Sequence, residues 1–211
     1  MLPGEGRSRV IIEGVTPEID GGRFPIKRIA GDETTVEANC LTDGHDALSC
    51  ALLYRKEGAA SGPGAAASGP GAAASGPGAA GWSDVPMESL GNDRWRGSFR
   101  VTELGRYYYT VQAWVDHFKS WARDLGKRVQ AGQDVAVELL IGAELVEAAS
   151  RRAPAPHSGW LASFAEGIRA GGPDAAQQAL SPELARLMSL HAERSFAATY
   201  ERELEIIVDR M

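Results

Sequence analysis

Apolar residues recur along this chain with two different periods, and the change from one to the other falls near Asp116. Upstream, the period is two. Residues 9–15 form a β-branched run that ends before Pro17, and between Thr34 and Leu41 the residues Val36, Ala38 and Cys40 share one face of an alternating segment. Leu48 to Lys56 follows the turn signal Asp43-Gly44 and reads as a third strand. Trp82 to Met87, Trp95 to Val101 and Tyr107 to Val115 continue the pattern, with the turn Gly91-Asn92-Asp93 before the second of them. In the last, Thr110, Gln112 and Asp116 fall on one face and Tyr109, Val111, Ala113 and Val115 on the other. Regularly spaced strands separated by turn signals predict a β-sandwich of immunoglobulin-like type.

Beyond Asp116 the period lengthens to about three and a half, the spacing of one face of a helix. Phe118, Trp121, Ala122, Leu125 and Val129 form a first stripe, closed by Gly132. Val135, Leu139, Ala143 and Val146 mark a second helix with Pro154 and Pro156 beyond its end. Leu161, Phe164, Ala165 and Ile168 mark a third, with Ser158 as its expected cap and Gly171-Gly172-Pro173 as its stop. Ser181-Pro182 opens a fourth, in which Leu184, Leu187, Met188 and His191 are spaced to pack. Four short helices joined by breakers predict a small bundle. Residues 203–209 then return to β-like composition, and a lone terminal strand needs a partner sheet. The expected fold class is therefore α+β and multidomain: a sandwich made of residues 1–116 plus 197–211, with residues 117–196 inserted as a helical bundle.

One segment breaks the pattern. From Ala59 to Ala79 the heptad Ala-Ala-Ser-Gly-Pro-Gly-Ala occurs three times, with no bulky apolar group to bury and a proline flanked by glycines in each copy. It predicts a flexible loop over 58–81 that enlarges the tip of a hairpin, and lengthening a loop costs free energy only logarithmically.

The 211 residues carry a net charge of −6, and their 22 Lys and Arg are scattered, so no basic stripe suggests a nucleic-acid partner. No stretch has the apolar length of a signal-peptide core or a membrane span, and a cytoplasmic location without membrane partners is expected. Cys40 and Cys50 then read as reduced and buried.

The candidate chemistry is sparse. Asp43, His45 and Asp46 offer ligand atoms within four residues, but no second cluster completes a metal site, and a turn with internally satisfied carboxylates is the plainer reading. His117, His157 and His191 are not paired in sequence with a nucleophile. The glycine-rich copies neither join a strand to a helix nor carry the lysine of a phosphate-binding loop. No catalytic, cofactor or metal residue is expected. Five tryptophans, Trp82, Trp95, Trp114, Trp121 and Trp160, could present aromatic faces to sugar rings. Core packing is the expected fate of Trp95 and Trp121. Trp82 and Trp114, with His117, stand as candidate contacts for a glycan or for a protein interface.

The order and spacing of several short motifs carry a resemblance. They are Pro17, Asp20, Gly22-Arg23-Phe24-Pro25 and Lys27, then Asp43-Gly44-His45-Asp46 and Tyr54, then Trp82, Pro86-Met87 and Asn92-Asp93-Arg94-Trp95, then Gly105-Arg106-Tyr107, Trp114, Asp116, Phe118, Trp121 and Ala131-Gly132-Gln133-Asp134. Together they resemble the N-terminal region of the α-1,4-glucan:maltose-1-phosphate maltosyltransferases of the α-amylase clan. The resemblance implies a parent enzyme that moves maltosyl units from α-maltose 1-phosphate to the non-reducing end of an α-1,4-glucan, with retention, through two carboxylates on a catalytic barrel. Such a barrel needs roughly 250 residues of alternating strands and helices, and that alternation does not occur here. The chain is therefore expected to be a fragment without catalysis of its own. In the family the sandwich and its helical insertion serve homodimerisation and flank the catalytic cleft, so a homodimer is expected, with glucan and maltose 1-phosphate meeting the parent's barrel. A stand-alone glycan-binding or protein-interaction sandwich is the alternative.

Overall fold

The structure, a computed structural model, describes residues 9–58 and 81–210. The expected loop over 58–81 falls, but for its end residues, outside the described residues. Within them the protein is mixed α+β, with ten strands and five helices. It divides into two compact units, one of Met1–Val115 with Arg194–Met211 and one of Asp116–Glu193.

The first unit holds two sheets. In the smaller, β1 (Val10–Thr16), β3 (Glu33–Thr42), β7 (Arg94–Arg100) and β6 (Glu88–Gly91) lie in the order β1-β3-β7-β6. In the larger, the order is β2 (Ile26–Ile29), β10 (Leu204–Asp209), β8 (Gly105–Val115), β4 (Leu48–Lys56) and β5 (Ser83–Pro86), with β9 (Ala198–Thr199) also on β8. The last strand of the chain is thus an interior strand. It pairs parallel to β2, Ile206 opposite Ile26, and antiparallel to β8, Leu204 opposite Tyr109.

The alternation expected of β3 is present, with Thr34, Val36, Ala38 and Cys40 buried along its length. Val36, Ala38 and Cys40, with Leu52, Tyr109, Val111 and Ile206 of the larger sheet, belong to one hydrophobic cluster, so the two sheets share a core. Against it the Phe99 ring of one sheet stacks on the half-buried Tyr54 of the other, centroids 4.3 Å apart. Gly97 permits the close approach, because a Cβ there would lie 3.0 Å from Met87 Cγ and 3.3 Å from Leu52 Cβ. Tyr109 is fully buried and donates its hydroxyl hydrogen bond to the Pro17 carbonyl. Burial raises its phenol well above the usual range.

Several details depart from the sequence expectations. β2, β6 and β9 carry no alternating pattern: β6 is exposed along its whole length, and the other two have four and two residues. Trp82 lies just outside β5. The expected turn at Asn92 and Asp93 is real, both residues taking positive φ (49° and 61°), the geometry of a type I′ hairpin. Its first strand is β6. Thr110, placed by alternation on the face of β8 opposite Tyr109 and Val111, is 3% exposed, and Trp114 on the same face is 5% exposed. Both faces of this strand therefore carry buried side chains.

The second unit contains α1 (His117–Gln130), α2 (Ala136–Arg152), α3 (His157–Ala170), α4 (Ala175–Ala179) and α5 (Pro182–Leu190). Asp116 caps α1, its Oδ1 accepting from the Lys119 N–H at 2.9 Å, and Ser181 caps α5 ahead of Pro182. Five helices replace the expected four because α4, Ala-Ala-Gln-Gln-Ala, is too short to show a stripe. Ser158 is not the cap of α3; that helix begins at His157 behind Pro156. Val129, expected on the packing stripe of α1, is 38% exposed near the helix end. Leu125, Val146, Leu161, Ile168, Leu184 and Leu187 anchor the core of this unit.

Trp121 fixes α1 against α2. Its indole N–H donates to the Glu138 carbonyl at 2.8 Å, and its ring lies over Gly142, where a Cβ would fall 1.9 Å from Trp121 Cζ2. Gly142→Ala is therefore expected to lower stability by at least about 1–3 kcal/mol through overpacking. Gly126→Ala, in α1 with nothing within 4 Å of its added carbon, is expected to be neutral or to gain up to about 1 kcal/mol. Urea unfolding of the two variants beside the parent checks the contrast.

Candidate functional site

The outward side of the larger sheet gathers aromatic and charged residues. Arg55 on β4 stands opposite Tyr108 on β8. Its guanidinium lies 4.6 Å from the Tyr108 ring centroid and 4.9 Å from that of Trp82, and it pairs with Glu203 at 2.7 Å. Such contacts are worth about 0.5–2 kcal/mol each, more where water is excluded. A second cluster on the same side joins Trp114, Arg194 and Asp84. The Arg194 guanidinium sits 4.1 Å above the Trp114 ring and forms an ion pair with Asp84, both partners only 11% exposed. The Trp114 indole N–H is buried without a hydrogen-bond partner among the described residues, so the arginine above its face is the ring's main polar contact.

The three candidates read from the sequence are thus not brought together as one site. Trp82 is half-buried and Trp114 buried, each with an arginine over its ring, and His117 is the exposed first residue of α1 in the helical unit. The Asp43 and Asp46 carboxylates hold Arg9, whose guanidinium lies 2.7 Å from Asp43 Oδ1 and 2.9 Å from Asp46 Oδ2. That guanidinium keeps the Asp43 carboxyl below the usual carboxylate range. No group of three or more His, Cys, Asp or Glu among the described residues is placed to hold a metal ion. Cys40 and Cys50 are free and buried.

In the helical unit, α2 is apolar on a second side. Besides the buried Leu139, Ala143 and Val146, it exposes Val137 (65%), Leu140 (50%) and Ile141 (49%), which recur at i, i+3 and i+4. Elsewhere His157 Nδ1 and His191 Nε2 lie within 2.9 Å of each other. Burial, and then the neighbouring His157, push His191 below its ordinary value.

Compared with known proteins, the chain matches over residues 8–210 the family described as Alpha-1,4-glucan:maltose-1-phosphate maltosyltransferase, domain N/S. The chain belongs to this family. Among proteins named Alpha-1,4-glucan:maltose-1-phosphate maltosyltransferase, that of Chlorobaculum tepidum is 43% identical over 209 residues, covering 99% of this chain and 28% of the relative. That of Myxococcus xanthus is 41% identical over 206 residues, covering 95% and 29%. That of Rhodospirillum rubrum is 34% identical over 210 residues, covering 95% and 28%. The chain thus spans under a third of the length of these relatives.

In this N/S region the features missed by sequence reasoning are of two kinds. The arginines that occupy Trp82 and Trp114 could not be read, since Arg194 meets Asp84 across 110 positions of sequence. The outer stripe of α2 could have been, because Val137, Leu140 and Ile141 interleave with the core stripe and make the helix apolar over too wide an arc for one packed face.

Two outcomes are expected of this geometry. Asp84→Ala leaves a nearly buried guanidinium unpaired and is expected to cost about 3–5 kcal/mol in urea unfolding, far more than loss of Glu103 from its exposed pair with Lys56. The second concerns pH. His191 binds its proton less readily folded than unfolded, so its contribution to stability is complete above its ordinary value of 6.5 and declines as pH falls through and below it. Melting temperatures measured from pH 7.5 down to 5.5 should fall less for His191→Gln than for the parent chain.

Proposed function

We propose that this chain is the accessory and dimerisation region of a maltosyltransferase. The two sheets form an immunoglobulin-like sandwich into which the helical unit is inserted, and the region helps shape the cleft of a catalytic domain that lies elsewhere in the parent enzyme. The proposed parent reaction is transfer of maltosyl units from α-maltose 1-phosphate to an α-1,4-glucan, in the cytoplasm. Both catalytic carboxylates are assigned to the barrel and none to these residues.

One observation carries the dimer: the uncovered apolar stripe Val137, Leu140 and Ile141 on α2. Contiguous exposed apolar side chains on one helix face are costly in water and mark association surfaces, and a stripe meeting its own copy about a twofold axis is the simplest closed arrangement. The polar and stacked state of Trp82 and Trp114 supports this reading over a glycan-binding module, since an arginine lies over each ring.

Light scattering during gel filtration is the test. The chain is expected to elute with twice its monomer mass and to turn over no maltose 1-phosphate. Leu140→Glu with Ile141→Glu is expected to give a folded monomer. A monomeric parent chain, or a dimer indifferent to both substitutions, would count against the assignment of this face.

A further inference from the structure

Two histidines far apart in sequence meet in the helical unit. His157 opens α3, and His191 follows the last residue of α5. His157 Nδ1 and His191 Nε2 lie 2.9 Å apart, with the rings near edge-on at 66°. At that separation one nitrogen donates and the other accepts, so the contact carries a single proton. Both residues touch more than each other. The His191 backbone N–H donates to the Leu187 carbonyl, and the His191 carbonyl accepts from Arg152 at the end of α2 at 3.1 Å. The His157 ring lies 5.3 Å from that of Trp160. The pair thus ties the end of α5 to the start of α3 and, through Arg152, to the end of α2.

Proton count decides whether this tie holds. With both rings neutral, or with His157 alone cationic, one lone pair remains between the rings to accept the hydrogen bond. A second proton removes it: two N–H groups then point at each other and two positive charges stand in contact. The surroundings do not offset that charge. Arg152 adds a third cation beside His191, and the Glu193 carboxylate is paired with the same guanidinium at 3.2 Å. His191 is only 8% exposed, so water does not reach its cation without an opening. Burial, and then His157 and Arg152, hold it below its ordinary value of 6.5.

We propose that His157 and His191 form a proton-operated latch within the helical unit, closed while a single proton lies between the two rings and opened by a second. Opening frees the first turn of α3, with Trp160, and the segment after α5. Leu161, Ile168, Leu184 and Leu187 meanwhile keep the core of the unit packed. Mild acid is then felt as a local loosening. The latch needs no ligand or partner, so it stands apart from the maltosyltransferase reading.

The test is native-state hydrogen exchange of the 211-residue chain at pH 7.5 and pH 5.5, corrected for the pH dependence of intrinsic exchange. The amides of Ser158, Trp160 and His191 are expected to exchange through an opening cheaper than that of Val146 and Ile168. That opening should occur about tenfold more often at pH 5.5, the limit for one proton taken up at the ordinary value of 6.5. In His191→Gln an amide oxygen accepts from His157 in either charge state, and in His157→Gln one accepts from cationic His191. Both variants are therefore expected to lose the pH dependence. Opening no more frequent in acid, or increased as much in both variants, overturns the latch. So does exchange of these three amides in step with Val146 and Ile168 at both pH values, because the pair would then only add to the stability of the unit as a whole.

Discussion

The fold of the sheet unit depends on a strand that the chain supplies last. β10 lies between β2 and β8, and its Leu204, Ile206 and Val208 are buried in the core shared by both sheets. Each such side chain is worth about 1.5–3 kcal/mol on burial. Without β10, β2 has no neighbour in its sheet and one edge of β8 loses its ladder. The chain leaves this unit at Val115 and re-enters at Arg194. At re-entry Arg194 is at once engaged by Asp84 and the Trp114 ring, and β9 pairs with β8 before β10 begins. Sheet closure is therefore long-range, and loop-closure entropy must be met before its contacts form.

How far the sequence foretold this depended on whether one face of an element met water. β3 could be read because buried residues alternate with more exposed ones from Glu33 to Cys40. The helical stripes of α1, α2, α3 and α5 could be read for the same reason. β6 could not, being exposed throughout, and α4 is too short for any period to register. β8 was read from Tyr107, two residues after its start at Gly105, and alternation could not show that Thr110 and Trp114 on its second face are covered too. The terminal strand was inferred from composition alone, because an isolated β-like segment has no other stable fate.

The candidate contacts were legible only as residue types. Tryptophan in a strand offers a platform or a core anchor equally, and the outcome turned on arginines distant in sequence. Trp160 differs because its nearest ring is local: α3 places His157 three residues before it, although His191, which holds His157, comes from beyond the end of α5.

The most direct single measurement is native-state hydrogen exchange of the backbone amides of β10 beside those of the centre of β8. If the terminal strand completes the sheet unit, the Ile206 and Val208 amides should exchange with the same opening free energy as those of Val111 and Ala113, through the same cooperative unfolding. Exchange of β10 through a much cheaper local opening, with β8 still protected, would show that the last strand is an appendage and would contradict the dependence of the fold upon it.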